Sequence, residues 1–160
     1  TRWTKMRVKI LTHKHPTVRA QAMPVDPSWL RSTEAQQLIA DMMETMHAAN
    51  GIGLAAPQIG RSIRLAVIAH RDGDLVFGDP VIRDPSNRLL TEEEGCLSVP
   101  GVFGLVARHQ SLTVEYLDAQ GRRRTRRATG LFARVIQHET DHLDGRLYID
   151  RTKNFTRGQP

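Results

Sequence analysis

GLFARVIQHETDHLDG, residues 130–145, is the stretch from which the rest of the chain is read. Gly130 opens a helix, Leu131, Phe132, Val135 and Ile136 give it an inward apolar side, and Gly145 stops it. Within it His138 and His142 stand at i and i+4, so both imidazoles share one face and can reach one cation. Glu139, beside the first histidine, is placed to handle the proton of a metal-activated water. The first hypothesis is therefore metal-assisted hydrolysis.

Such a site takes three protein ligands and keeps one position open. Downstream of the helix the third ligand is hard to find. His138 to Gly145 fits H-E-x-x-H-x-x-G, but Tyr148 stands where a third histidine would be needed. No Glu follows Glu139, which leaves only Asp144 and Asp150 as weak carboxylate candidates. Upstream, EGCLS (94–98) holds the single thiol of the chain, Cys96, and thiolate plus two imidazoles suits a borderline metal. A lone cysteine is otherwise a small buried hydrophobe. Gly95 lets the backbone bend close to an ion. A third segment, GIGLAAPQ (51–58), combines small residues that permit close backbone approach with the amide of Gln58; a Gly-x-Gly after a helix is otherwise just a turn.

Around these segments the pattern is α+β: small antiparallel β-sheets packed around a central HExxH helix that binds metal. Thr33-x-x-Gln36 reads as a capping box, followed by a core stripe of Leu38, Ile39, Met42, Met43 and Met46, with Asn50-Gly51 closing the helix. Val8 to Leu11 is strand-like. Arg64 to Ile68, Leu75 to Phe77 and Val81-Ile82 read as short strands with turns at Asp72-Gly73 and Asp79-Pro80. Leu112 to Leu117 and Arg122 to Ala128 flank Asp118 to Gly121 as a hairpin. The basic run Arg122–Arg127 is expected to be an exposed edge ribbon, kept from aggregating by its charge, with a ribosome contact as the rival reading.

The 160 residues suit one domain, 1–160, with an N-terminal extension over about 1–7 and a short tail over 150–160. No apolar stretch can span a bilayer, and no signal-peptide core opens the chain; Thr1 in place of Met suggests trimming. A net charge of +6 points to an anionic neighbour such as RNA, membrane or ribosome, and the unpaired cysteine points to a reducing compartment.

Taken together and in order, GIGLAAPQ, EGCLS and QHETDHL resemble the three motifs of the peptide deformylases, a likeness that runs from about Val8 to Tyr148. The resemblance implies removal of the formyl group from N-formyl-methionyl nascent peptides. It implies Cys96, His138 and His142 as metal ligands, Glu139 as general base and acid, and Gln58 with the Leu97 amide as oxyanion donors. It implies Fe²⁺ as the ion, with Zn²⁺, Ni²⁺ or Co²⁺ as substitutes. The substrate should lie as an added strand beside Gly53 and Glu94-Gly95, its methionine in a pocket of Ile52, Leu131, Val135 and the His138 ring. Arg134, one turn before His138, is read as solvated rather than as a border of that pocket.

The family usually has Asn-Pro where Asp79-Pro80 stands and Val-Pro-Arg where Val106-Ala107-Arg108 stands; both look like scaffold positions, with Arg108 expected to pair with Glu94. Longer members carry a C-terminal helix for which the tail here leaves no room. A monomer is expected, with no membrane and no sequence-specific nucleic acid as partner. The expected location is the cytoplasm, with an organelle matrix or stroma, or a phage-infected cell, as alternatives. The competing class is a repurposed peptide- or ribosome-binding relative, whose signature would be loss of Glu139, Cys96 or Gln58; all three are present.

Overall fold

A computed structural model describes residues 2–160; Thr1, and the trimming read from it, lie outside the described residues. Two four-residue helices, α1 (Pro16–Arg19) and α2 (Pro27–Leu30), precede the long helix α3 (Thr33–Ala48). Strands β1 (Gly53–Ala55), β2 (Leu65–Ile68), β3 (Leu75–Arg83), β4 (Leu89–Cys96), β5 (Val99–His109), β6 (Ser111–Leu117) and β7 (Arg123–Thr129) follow. Helix α4 (Gly130–Leu143) and a short strand β8 (Phe155–Arg157) complete the chain. The strands form two antiparallel sheets, one ordered β1-β2-β3-β6-β7 and one ordered β4-β5-β8.

Helix α4 packs against both sheets, which places its ligand-bearing face where they meet. Ala133, Val135 and Ile136 of α4 join Ile68, Phe77, Leu112 and Val114 of the larger sheet. The apolar stripe of α3 buries Leu38, Ile39, Met42 and Met46 against Leu54, Leu65, Val67 and Val76 on that sheet. A further cluster under the smaller sheet joins Val99, Val102 and Val106 to Leu147 and Tyr148. The Tyr148 hydroxyl is satisfied by donating to the Val102 carbonyl at 2.7 Å.

Several local expectations change on folding. The cap of α3 is Ser32, not Thr33: Ser32 Oγ accepts from the Ala35 amide at 3.1 Å. Gln36 instead ties the helix to the hairpin by donating to the Leu30 and Ala119 carbonyls. Val8 to Leu11 belongs to no sheet; the Val8 amide donates to Thr45 Oγ1 and the Leu11 amide to the Gln58 carbonyl. Leu75–Phe77 and Val81-Ile82 are one strand, β3, with an irregularity between Gly78 and Val81. Asp79, with φ at +43°, makes that kink and accepts the Val25 amide through its carboxylate. Leu131, expected inward, is 61% exposed and lines the cleft instead of the core.

The smaller sheet was absent from the local reading. Residues 102, 104, 106 and 108 of β5 alternate inward, so the period-2 signal was there, but it carries Arg108 into the core. The tail over 150–160 is also more than a tail, since β8 within it adds an edge strand to β5. The basic ribbon is as expected: β7 is the edge of the larger sheet and largely exposed.

Candidate metal centre and active site

Three pieces of chain converge at the junction of the sheets. Helix α4 brings His138 and His142, the end of β4 brings Cys96, and the 3-10 turn Ala56–Ile59 after β1 brings Gln58. One ligand atom from each of Cys96, His138 and His142 lies within 4.8 Å of the others, and Cys96 Sγ is 3.2 Å from His142 Nε2. His138 Nδ1 is engaged by Glu94 Oε1 at 2.8 Å, which leaves Nε2 as the free ring nitrogen. Cys96, His138, Glu139 and Gln58 all border one cleft of ≈520 Å³, while His142 sits behind it, fully buried.

Glu139 lies on the same cleft, buried, and its Oε2 has no hydrogen-bond partner among the described residues. Burial pushes its carboxyl up to about 7, with Glu94 and Asp141 adding to the rise against the pull of His138 and Arg108. The two rings titrate apart. Burial opposes charge on His138, yet Cys96, Glu94 and Glu139 hold it well above its ordinary range. Burial, with His138 and Arg108 beside it, holds His142 well below.

Gly53 explains why β1 begins on a glycine: a Cβ there would collide with the Glu139 carboxylate. The Gln58 amide is oriented from behind. Its Oε1 accepts the Ala55 amide at 2.9 Å, so the NH₂ turns toward Ser98 Oγ (3.1 Å) and Cys96 Sγ (3.7 Å). Leu97, Gly95 and Glu94 line the cleft from the β4 side, and Ile52, Leu131 and Val135 line its other wall.

Two buried charged side chains beside the ligand cluster escaped the sequence reading. Arg134, expected in solvent, is buried and borders the cleft, the alternative set aside above: it donates to Glu94 Oε2 at 2.6 Å and to the carbonyls of Val106 and Leu90. The signal was its i−4 spacing from His138, which puts it on the ligand face; the buried acid it meets comes from 40 residues upstream. Asp141 pairs with buried Arg108 at 2.6 Å and with Arg151. Arg108 also grips Glu94 through two 2.9 Å bonds, as expected. Against the opposing effect of burial, Arg108 and His138 keep Glu94 well below the usual carboxylate range. His13, His15, His47, His70 and His109 lie outside the ligand cluster.

The polypeptide deformylase family model matches residues 7–158. The chain belongs to the peptide deformylase family. The peptide deformylase of Roseiflexus castenholzii is 48% identical over 165 residues, covering 92% of this chain and 84% of the relative. That of Dictyoglomus thermophilum is 48% identical over 123 residues, with 77% and 80% covered. Among solved structures, the Synechococcus elongatus deformylase in complex with actinonin superposes with a TM-score of 0.87 at 39% identity, covering 96% of this chain and 85% of that one. The Met-Ala-Ser-bound class I type b deformylase of Acinetobacter baumannii gives 0.89 at 34% identity, covering 93% and 100%. In this deformylase the two departures from the family's usual residues are structural: Asp79 makes the β3 kink and Ala107 points outward on β5 beside Arg108.

Proposed function

We propose that this chain, as one catalytic domain, hydrolyses the formyl group from N-formyl-methionyl peptides, the reaction its family membership implies. The observation that carries the reading is the partnerless, buried Glu139 Oε2 beside a Cys-His-His donor set, at the floor of a cleft flanked by two sheet edges.

The donors fit a borderline divalent ion: a thiolate, two imidazoles, and a carboxylate behind His138 that fixes its ring. Cys96, His138 and His142 would hold it, with Fe²⁺ as the ion we infer and Zn²⁺, Ni²⁺ or Co²⁺ able to take the same donors. Such an ion, when bound, supplies Lewis acidity and brings water's pKa toward neutrality.

Glu139 accepts the proton of the attacking water at Oε2 and returns it to the departing amine nitrogen. The Gln58 NH₂, turned toward Cys96 and Ser98 by the Ala55 bond, and the Leu97 backbone N–H serve the developing oxyanion. Each such donor contributes roughly 2.7–4 kcal/mol to the transition state. The peptide fits as a strand between β1 and β4, because each is the free edge of its own sheet and both border the cleft. Backbone pairing at Gly53 and Glu94-Gly95 reads no sequence, so selection falls to the methionine pocket of Ile52, Leu131, Val135 and the His138 ring. Gly53 leaves the reacting carbon little room beside Glu139, which favours formyl over acetyl. We also infer a cytoplasmic monomer, with Arg122–Arg127 as the surface nearest in kind to a ribosome contact.

Formate release from formyl-Met-Ala-Ser by the anaerobically prepared Fe²⁺ protein tests the reading. Wild type is expected to be active, acetyl-Met-Ala-Ser to be inert, and Glu139→Ala to lose about 10²–10⁴-fold in kcat. No release by fully metal-loaded wild type would overturn it in favour of a peptide-binding relative.

A further inference from the structure

Strand β8 takes no part in the chemistry above, yet its last two residues and the glycine after them each touch the outer wall of the cleft. Thr156 donates its hydroxyl to Glu93 Oε2 at 2.5 Å. Arg157 is the register partner of Phe103, with its guanidinium carbon 4.7 Å from the ring centroid. Gly158, with φ at +66°, lies so close to Gly101 that a Cβ would stand 2.5 Å from its carbonyl oxygen. Glu93, Phe103 and Gly101 all line the cleft.

Phe103 faces the substrate side as well. It is the register partner of Gly95, and its ring fills the space that a Gly95 side chain would need, with a Cβ there only 2.6 Å from the ring. The ring thus has the cleft-side backbone at Gly95 on one side and the Arg157 guanidinium above it. A half-buried phenylalanine on a cleft wall is otherwise free to change rotamer, and a peptide would have to order it on binding. Holding the ring beforehand removes that cost.

We propose that β8 is a positioning strand for substrate: Arg157 holds the Phe103 ring as a wall of the subsite for the residues that follow methionine, while Thr156 ties Glu93 back from it. The proposal rests on the deformylase reading. Because neither Arg157 nor Phe103 belongs to the ligand cluster, the effect falls on binding rather than on the chemical step.

The test compares Arg157→Ala, Arg157→Lys and Phe103→Leu in the metal-loaded protein, using formyl-Met and formyl-Met-Ala-Ser. Arg157→Ala is expected to raise KM for the tripeptide about three- to fivefold, the size of an exposed cation–π contact, and to leave kcat and the formyl-Met KM unchanged. Arg157→Lys, which keeps a cation over the ring, should recover part of that loss. In the Phe103→Leu background Arg157→Ala should add nothing, because the ring it holds is gone. Calorimetric Kd values for Met-Ala-Ser should rise by the same factor.

An equal rise for both substrates, a fall in kcat, no change, or an undiminished effect in the Phe103→Leu background would each overturn the proposal. Failure of the deformylase reading shows separately, as wild type that releases no formate, and Met-Ala-Ser binding still decides the role of the strand.

Discussion

Replacing Glu94 with Gln removes one negative charge and almost no volume from a buried acid that has four hydrogen-bond partners. Glu94 Oε2 accepts from Arg108 Nε and Arg134 Nη1, and Oε1 faces Arg108 Nη2 and His138 Nδ1, all between 2.6 and 2.9 Å. The carboxylate can receive all four. An amide oxygen can serve one pair, and the amide NH₂ that replaces the other oxygen then points at a guanidinium N–H or at the imidazole. Both guanidiniums are nearly buried, at 3% and 6% side-chain exposure, so water cannot repair the loss.

Removing one partner from a buried charge pair costs about 3–5 kcal/mol, a large part of the ~5–15 kcal/mol that holds a typical domain folded. The same substitution takes the carboxylate from His138, and losing such an outer partner weakens metal affinity about 10–100-fold. Urea unfolding of the metal-free wild type and variant at pH 7 measures the first effect, and competition with a chelating dye measures the second.

The pH dependence carries a sign. Arg108 and His138 hold Glu94 below its ordinary 4.5 despite burial, so its contribution is complete above that pH and is lost as pH falls toward its folded value. The gap between wild type and Glu94→Gln should therefore narrow in acid. A stability change under ~1 kcal/mol at pH 7, with unaltered metal affinity, would refute the view that Glu94 organises this network.

Gly53→Ala places a methyl against the Glu139 carboxylate and should lower kcat/KM at least about 10²-fold with the thermal midpoint nearly unchanged, as read from steady-state kinetics beside calorimetry. In the β6–β7 turn Asp118 accepts the Gln120 and Arg122 amides and pairs with Arg124. Burial works to raise it, but these donors bring it down to about 2. Asp118→Ala should cost about 1–2 kcal/mol at neutral pH, a difference that denaturant titrations should find intact above pH 4 and fading as pH falls to about 2. Chelation should lower the unfolding temperature, since an ion bound at 1,000 times its Kd adds ~4.1 kcal/mol; a midpoint indifferent to metal would argue against a site built by Cys96, His138 and His142.

How legible the site was depends on how far apart its parts lie in the chain. The i, i+4 spacing of His138 and His142 is a property of any helix, and the run from Gly130 to Gly145 marks that helix plainly. The α3 stripe and the β6–β7 hairpin are local patterns too. Cys96 and Gln58 were found differently: their residue types alone left a buried thiol or a plain turn open, and it was the order of three motifs that singled them out.

What the residues could not announce was which charges would be buried. Arg134 shares a face with His138, but an arginine is expected in solvent unless an acid waits for it, and that acid, Glu94, arrives on a strand 40 residues away. The smaller sheet was hidden for the same reason: β4 carries three consecutive glutamates, and only packing against Arg108, Arg134 and His138 makes one of them an interior residue. Nor did the tail's sequence show that Phe155–Arg157 would find an edge of β5. The sequence by itself determined the helix, its two imidazoles and the base between them, because helical geometry is set by neighbouring residues. Only the tertiary structure decided the charge network behind His138, the two free sheet edges and the strand that backs the cleft, because a buried charge or a strand pairing is stable only once its distant partner is in place.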